Sequence, residues 1–228
     1  MIEVSKAHTR YAMEIDRSRA IMSFYANRRF GPLIIFNDDF IGAHDGIGKH
    51  PHKNIEIVTY MVTGQNYHKD STGKESLLTP GMVQVVSAGT GIVHEGMNPS
   101  DTEEENHLQI WFQPDQYDIP PQHHEFSYDQ DKMKNRLLPI VSNRTWAVDR
   151  VLPIHQNVTI FISKLEEGHE LSFAQSAGRN MYVFNLEGEL VLNEEALLER
   201  RDAAQITGLQ RLNMSATKDT HFMLIDLP

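Results

Sequence analysis

Apolar side chains never run on for long in this 228-residue chain. They recur in short stretches at 33–36, 55–62, 83–86, 108–112, 158–162, 181–186 and 221–225, separated by breaks rich in glycine, proline and asparagine. Their length and their β-branched and aromatic content predict strands. Only 194–204, EEALLERRDAA, offers a helical pattern, and it reads equally well as the solvated side of a hairpin. The expected fold class is therefore mostly β. No stretch is long and apolar enough to span a bilayer, and the opening MIEVSKAHTRYAMEIDR scatters charge where a secretion signal needs an apolar core. These features predict a soluble cytoplasmic protein with no membrane contact.

Two compositional facts remove whole classes of function. There is no cysteine, which excludes disulfides, thiolate metal sites and a cysteine nucleophile. With 31 acidic and 21 basic residues the formal net charge is −10, and no basic patch offsets it, so direct nucleic-acid binding is not expected. Segment 114–143 carries Pro114, Pro120, Pro121 and Pro139 with little periodicity and reads as a linker. It suggests an N-terminal domain over 1–135 and a C-terminal one over 136–228. The halves echo each other: Val58-Thr59-Tyr60-Met61-Val62-Thr63-Gly64 resembles Val183-Phe184-Asn185-Leu186-Glu187-Gly188, as expected for two copies of one β-barrel unit.

Twelve histidines in a chain of this length produce an H-x-H pair by chance about 0.6 times, so His50-Pro51-His52 alone says nothing. Its surroundings say more. On a strand, alternate side chains share a face, so His50, His52, Asn54 and Glu56 project together if the strand extends that far. About forty residues on, the tight turn Gly89-Thr90-Gly91 delivers Ile92-Val93-His94, which a barrel can bring opposite the first pair. Three neutral imidazoles and a carboxylate suit iron, manganese, nickel, copper or zinc and leave positions open for substrate.

The whole pattern of G-K-HPH-K-N-I-E-I-V-T-Y, H-x-D-S-x-G and S-A-G-T-G-I-x-H-x-x-x-N-P-S resembles the paired cupin motifs. More narrowly, with Phe36-Asn37-Asp38-Asp39-Phe40 and the His107–Trp111 run HLQIW, the chain resembles the pirin family over most of residues 30–114; the ending FMLIDLP also suits bacterial members. That resemblance implies two tandem cupin barrels of the double-stranded β-helix, jelly-roll type. It implies one divalent metal, usually Fe(II), in the first barrel, on His50, His52, His94 and a glutamate two residues after the last histidine. Here that glutamate position is Gly96, and Glu95 is one residue out of register. A one-residue shift turns a side chain to the opposite face, so Glu95 needs a bulge to reach a metal. Glu56, in phase with His52, is the expected substitute as ligand and proton acceptor.

The resemblance also implies an activity, quercetinase-like cleavage of a flavonol or related enolic aromatic by O2 with loss of carbon monoxide. The alternatives are a regulatory module that binds a protein partner, as nuclear pirins do, and a vestigial cupin with weakened metal binding. Monomer and homodimer both remain open. Elsewhere the expectations are ordinary. His44, His155 and His169 are read as surface or hydrogen-bonded residues, and Asp70 and Gly73 as turn chemistry next to His68. His123 and His124 are read as solvent-exposed loop residues, and Asp101 to Glu105 as a solvated loop. Alternation places His107, Gln109, Trp111 and Gln113 on one face of a strand whose other face is core. In the second half, Ala174 and Ser176 fall where His50 and His52 stand, so no ligand set is expected there.

Overall fold

The computed structural model describes residues 1–26 and 28–228. The chain opens with β1 (Ile2–Ser5), followed by β2 (Tyr11–Ile15), β3 (Ser18–Met22), β4 (Leu33–Ile41), β5 (Gly46–His52) and β6 (Glu56–Thr63). Next come β7 (Asn66–Asp70), β8 (Glu75–Leu78), β9 (Met82–Ser87), β10 (Ile92–Met97), β11 (Glu105–Phe112) and β12 (Gln122–Ser127). The remainder supplies β13 (Leu138–Ser142), β14 (Thr159–Leu165), β15 (Glu170–Ala174), β16 (Asn180–Glu187), β17 (Leu190–Leu192), β18 (Ala196–Leu198), β19 (Ala203–Ile206), β20 (Arg211–Ala216) and β21 (Thr220–Leu227). Two 3-10 turns, Ala7–Thr9 and Gln130–Met133, are the only helical segments among the described residues.

The strands form two copies of one jelly-roll pattern. A seven-stranded sheet in the order β12-β9-β6-β11-β4-β3-β2 accompanies a four-stranded one, β5-β10-β7-β8. A six-stranded sheet, β1-β19-β16-β21-β14-β13, accompanies β15-β20-β17-β18. The strands seen in the sequence echo are equivalent in the two copies: β6 lies between β9 and β11, and β16 between β19 and β21, each third from an edge of its sheet. Gly64 and Gly188, which end those strands, sit at φ 73° and 80°, a region that L side chains avoid.

Sheet membership, not chain order, divides the chain. One unit comprises Tyr11–Tyr128 with Leu152–Gln156; the other comprises Met1–Arg10, Asp129–Val151 and Asn157–Pro228. The N-terminal strand joins the later unit because β1 pairs antiparallel with β19, Val4 opposite Ala204, and buries Ile2 and Val4 on its core. A single cut near residue 135 does not describe this arrangement.

Segment 114–143 is no linker: it contains β12, a 3-10 turn and β13. Pro114, Pro120 and Pro121 precede β12, Pro139 lies within β13, and β12 apart from Phe126 is built from polar residues, so hydropathy does not reveal it. The helical reading of 194–204 also gives way to a hairpin. Asn193 and Glu194 both take positive φ, 48° and 58°, in a tight turn that pairs Leu192 with Ala196 and buries Leu190, Leu192 and Leu198. Burial of alternate leucines in a sheet outweighs the helix propensity of the glutamates.

The later unit packs Phe161, Met181, Val183, Leu212, Met214 and Phe222 into one apolar cluster. Each such side chain contributes about 1.5–3 kcal/mol by burial. Ala174 and Ser176 are exposed. The earlier unit holds an apolar cluster, Ile57, Val86, Ala88 and Ile92 with Ile55 and Trp111 against it, and also buries polar side chains, among them Asp39, Asn66, His68, Gln84 and His107.

Candidate metal centre

The interior of the earlier unit holds the three predicted histidines together. β10 runs antiparallel to β5 with His94 directly opposite His50 and Ile92 opposite His52. The turn before β10 requires glycine: Gly89 has φ 46°, and a Cβ there would lie 2.0 Å from the carbonyl oxygen of Ile119. Thr90 donates its N–H to that same carbonyl, which pins the turn. One donor nitrogen from each of His50, His52 and His94 lies within 4.8 Å of the others. The His50 and His94 Nε2 atoms are 3.0 Å apart, and ring centroids are 4.5–4.9 Å apart across the three pairs.

Electrostatics keeps the His52 and His94 rings neutral. Burial pushes His94 down to about 3, reinforced by repulsion from His50, His52 and His68, and burial with repulsion from His50 pushes His52 down to about 4. Neutral imidazoles present lone pairs, the form a metal requires. The buried His52 Nε2 and His94 Nδ1 have no hydrogen-bond partner, whereas His50 Nδ1 lies 2.8 Å from the Gly48 carbonyl oxygen, which fixes that ring. Three imidazoles with donor atoms within 4.8 Å of one another, two of them carrying a buried unpartnered nitrogen, fit a divalent transition metal.

The structure does not bring Glu56 into this group. β5 ends at His52, Asn54 takes φ 52°, and β6 begins at Glu56 in the other sheet, so the alternation counted from His50 is broken between the two strands. Asn54 is fixed by a reciprocal pair of hydrogen bonds with Asp118. Glu56 is buried and accepts from Ser87 Oγ at 2.7 Å and from the His155 N–H at 3.2 Å. Burial raises its pKa, partly offset by those two donors. Glu95 stands opposite Lys69 on β7, in the alternate phase to His94, and its charge is felt by Tyr67 and Lys69. A bulge does occur between β5 and β10 at this level, but the extra residue lies on β5, leaving Glu95 turned away. Gly96 lines the same cavity as His50 and His94.

A second buried group escapes the sequence reading. His68, Asp70 and His123 also have donor atoms within 4.8 Å of one another. Asp70 Oδ2 lies 3.1 Å from His68 Nε2 and 2.8 Å from His123 Nδ1, and its Oδ1 accepts from the Thr72 N–H and hydroxyl. Burial works against ionisation of Asp70, but these donors outweigh it and hold the carboxyl well below the usual range. His123 is not in a solvent-exposed loop: β12 places it opposite Val86 with a side chain 2 % exposed. The His68 ring lies 5.4 Å from that of His94, so this network backs the three-histidine cluster.

The strand face predicted to carry His107, Gln109 and Trp111 turns inward and lines the cavity with Asn37, Thr59 and Gln84. Trp111 stands edge-on to His52 at 4.8 Å. His107 pairs across the ladder with Asp39 and lies 3.2 Å from Glu105 Oε1. Burial disfavours the charged His107 ring, but Glu105 and Asp39 outweigh it and raise its pKa.

Two jelly rolls, one with a three-histidine cluster of which His50 and His94 line a cavity, define a bicupin with a candidate metal centre in one of its units. Comparison with known families agrees: the pirin model matches residues 4–112, and the model of the quercetinase C-terminal cupin domain matches 140–227. The chain belongs to the pirin family. It is 32% identical over 199 residues to a quercetin 2,3-dioxygenase of Escherichia coli K12, covering 87% of this chain and 84% of that protein. A putative quercetin 2,3-dioxygenase of Zymomonas mobilis is likewise 32% identical over 199 residues, covering 86% and 82%. Among solved structures, YhhW from Escherichia coli superposes with a TM-score of 0.93 at 30% identity, covering 100% of this chain and 98% of that one. Bacterial pirin YhhW in complex with nickel(II) gives 0.93 at 29%, covering 100% and 99%. No helix among the described residues is long and apolar enough to cross a membrane.

Proposed function

We propose that the protein is a metal-dependent dioxygenase that opens the ring of a flavonol or related enolic aromatic with O2. Fe(II) is the expected metal, with Mn, Ni, Cu and Zn as alternatives. The observation that carries this reading is the convergence of three imidazoles, of which His50 and His94 line one cavity and His52 and His94 are held neutral. The dioxygenase names and the nickel-bound structure among the relatives support it. A bound metal supplies Lewis acidity toward the enol hydroxyl and open positions for substrate and O2.

The chain's own residues do the rest. His50, His52 and His94 hold the ion, and the Gly48 carbonyl sets the orientation of the first ring. Ile57, Val86, Ala88 and Ile92, with Trp111 packed against them, keep one side of the centre dry. Gln109 accepts the Trp111 indole N–H at 3.2 Å, which fixes that wall. With glycine at 96 and Glu56 committed to Ser87 and His155, neither position supplies the proton acceptor.

The test is oxygen consumption by iron-loaded protein with a panel of flavonols and single-ring 3-hydroxy-4-pyranones, with carbon monoxide measured in the headspace and His94→Ala as control. Uptake that depends on His94 and on the enol supports the reading. Oxygen uptake no faster than that of the His94→Ala control with every member overturns it.

A further inference from the structure

We infer that Asp39 anchors a hydroxyl of the ligand in the cavity that Gly96 leaves open, and that the ligand class is therefore a compact, single-ring or acyclic enol. The inference rests on the reading of the three histidines as a metal centre and narrows the substrate class of that site.

Asp39 is 6 % exposed and lines the cavity together with His50, His94 and Gly96. Its Oδ2 lies 3.6 Å from His107 Nε2, while its Oδ1 is buried with no hydrogen-bond partner. A buried carboxylate oxygen without a donor is costly, on the order of 1–3 kcal/mol, and a ligand hydroxyl removes that cost. Burial, opposed by the His107 charge, pushes the Asp39 carboxyl up to about 6, so at neutral pH it is still an acceptor, poised to share a proton.

The wall around Asp39 carries the same chemistry. Across the ladders Asp39 faces His107, Asn37 faces Gln109, and Thr59 faces both Gln109 and Gln84. These side chains match the oxygens of a small polyoxygenated molecule, and Ile41, Ile47 and Trp111, which line the same cavity, supply an apolar face for its ring. Size agrees: the cavity measures about 110 Å³, well below the roughly 300–1,000 Å³ of pockets that enclose drug-sized ligands. A side chain at 96 would divide this space, because its Cβ would already lie 3.3 Å from Asn66 Oδ1. Glycine joins the histidine end of the cavity to the Asp39 end.

The test uses zinc-loaded protein, which performs no redox chemistry, titrated without oxygen with maltol, a lone 3-hydroxy-4-pyranone ring, and with quercetin, which carries that ring fused and substituted. Maltol binds more tightly than quercetin, Asp39→Asn weakens maltol at least tenfold, and Gly96→Leu, filling the cavity from the other sheet, abolishes maltol binding. Zinc content stays at the wild-type level in both variants. Gly96→Leu leaves Asp39 in place and carries the test should Asp39→Asn not fold. Equal maltol affinity in wild type and the folded variants overturns the inference, as does tighter binding of quercetin that Gly96→Leu leaves intact. A wild-type protein that holds no zinc overturns the metal reading and the inference with it.

Discussion

Restoring a carboxylate at position 96 has two consequences of opposite sign that separate assays read. Gly96 has ordinary backbone geometry, so Gly96→Glu meets no conformational penalty, and its new Cβ contacts Asn66 Oδ1 at 3.3 Å and Nδ2 at 3.6 Å. Asn66 is buried and donates to Glu105 Oε1 at 2.8 Å, so it yields only by straining that bond. A hydrogen bond to a charged group is worth about 1.5–3 kcal/mol, and losing part of it costs the metal-free protein about 1 kcal/mol. Against this, a carboxylate attracts each unit of positive charge 4 Å away by about 4 kcal/mol at an effective dielectric of 20. Desolvation returns much of that, leaving a net gain of about 1.4–2.8 kcal/mol in metal binding, or 10- to 100-fold in Kd. Urea denaturation of the metal-free proteins reads the first effect and competition against a chromophoric chelator reads the second. Unchanged or weaker metal binding by a folded Gly96→Glu protein would refute the placement of position 96 beside the histidines.

Glu56→Gln is expected to keep its metal while losing about 1–2 kcal/mol of stability, because the carboxylate serves the Ser87 hydroxyl and the His155 N–H; metal loss in parallel with the substitution contradicts this. Asp70→Asn removes an acceptor shared by His68, His123 and Thr72 and costs about 2–4 kcal/mol at pH 7. The Asp70 pKa is depressed in the folded state, so its contribution is present above the unfolded value of about 3.9 and disappears as pH falls through the folded one. The stability gap between wild type and Asp70→Asn therefore narrows as pH drops from about 5 toward 2; a constant gap in equilibrium unfolding contradicts the network.

Strand content, the internal repeat and the histidine cluster were legible because each rests on a local rule. Short β-branched runs, the pair of glycine-ended strands and the glycine turn before His94 carry their geometry in the sequence itself. What failed depends on non-local pairing. The phase from His50 to Glu56 assumed an unbroken strand, and Asn54 at φ 52° breaks it. β12 gives no hydropathy signal, yet its pairing with β9 buries His123 and completes the Asp70 network. Asp39 looks like any polar residue of a half-buried strand until His107, 68 positions away, is set opposite it. The membership of β1 in the later unit is likewise invisible without its partner β19.

Metal content per chain, measured by plasma mass spectrometry on protein purified without chelator, bears most directly on the convergence of His50, His52 and His94. About one transition-metal ion per chain in the wild type is expected, falling at least tenfold in each folded variant His50→Ala, His52→Ala and His94→Ala. Equal metal content in wild type and all three variants would contradict it.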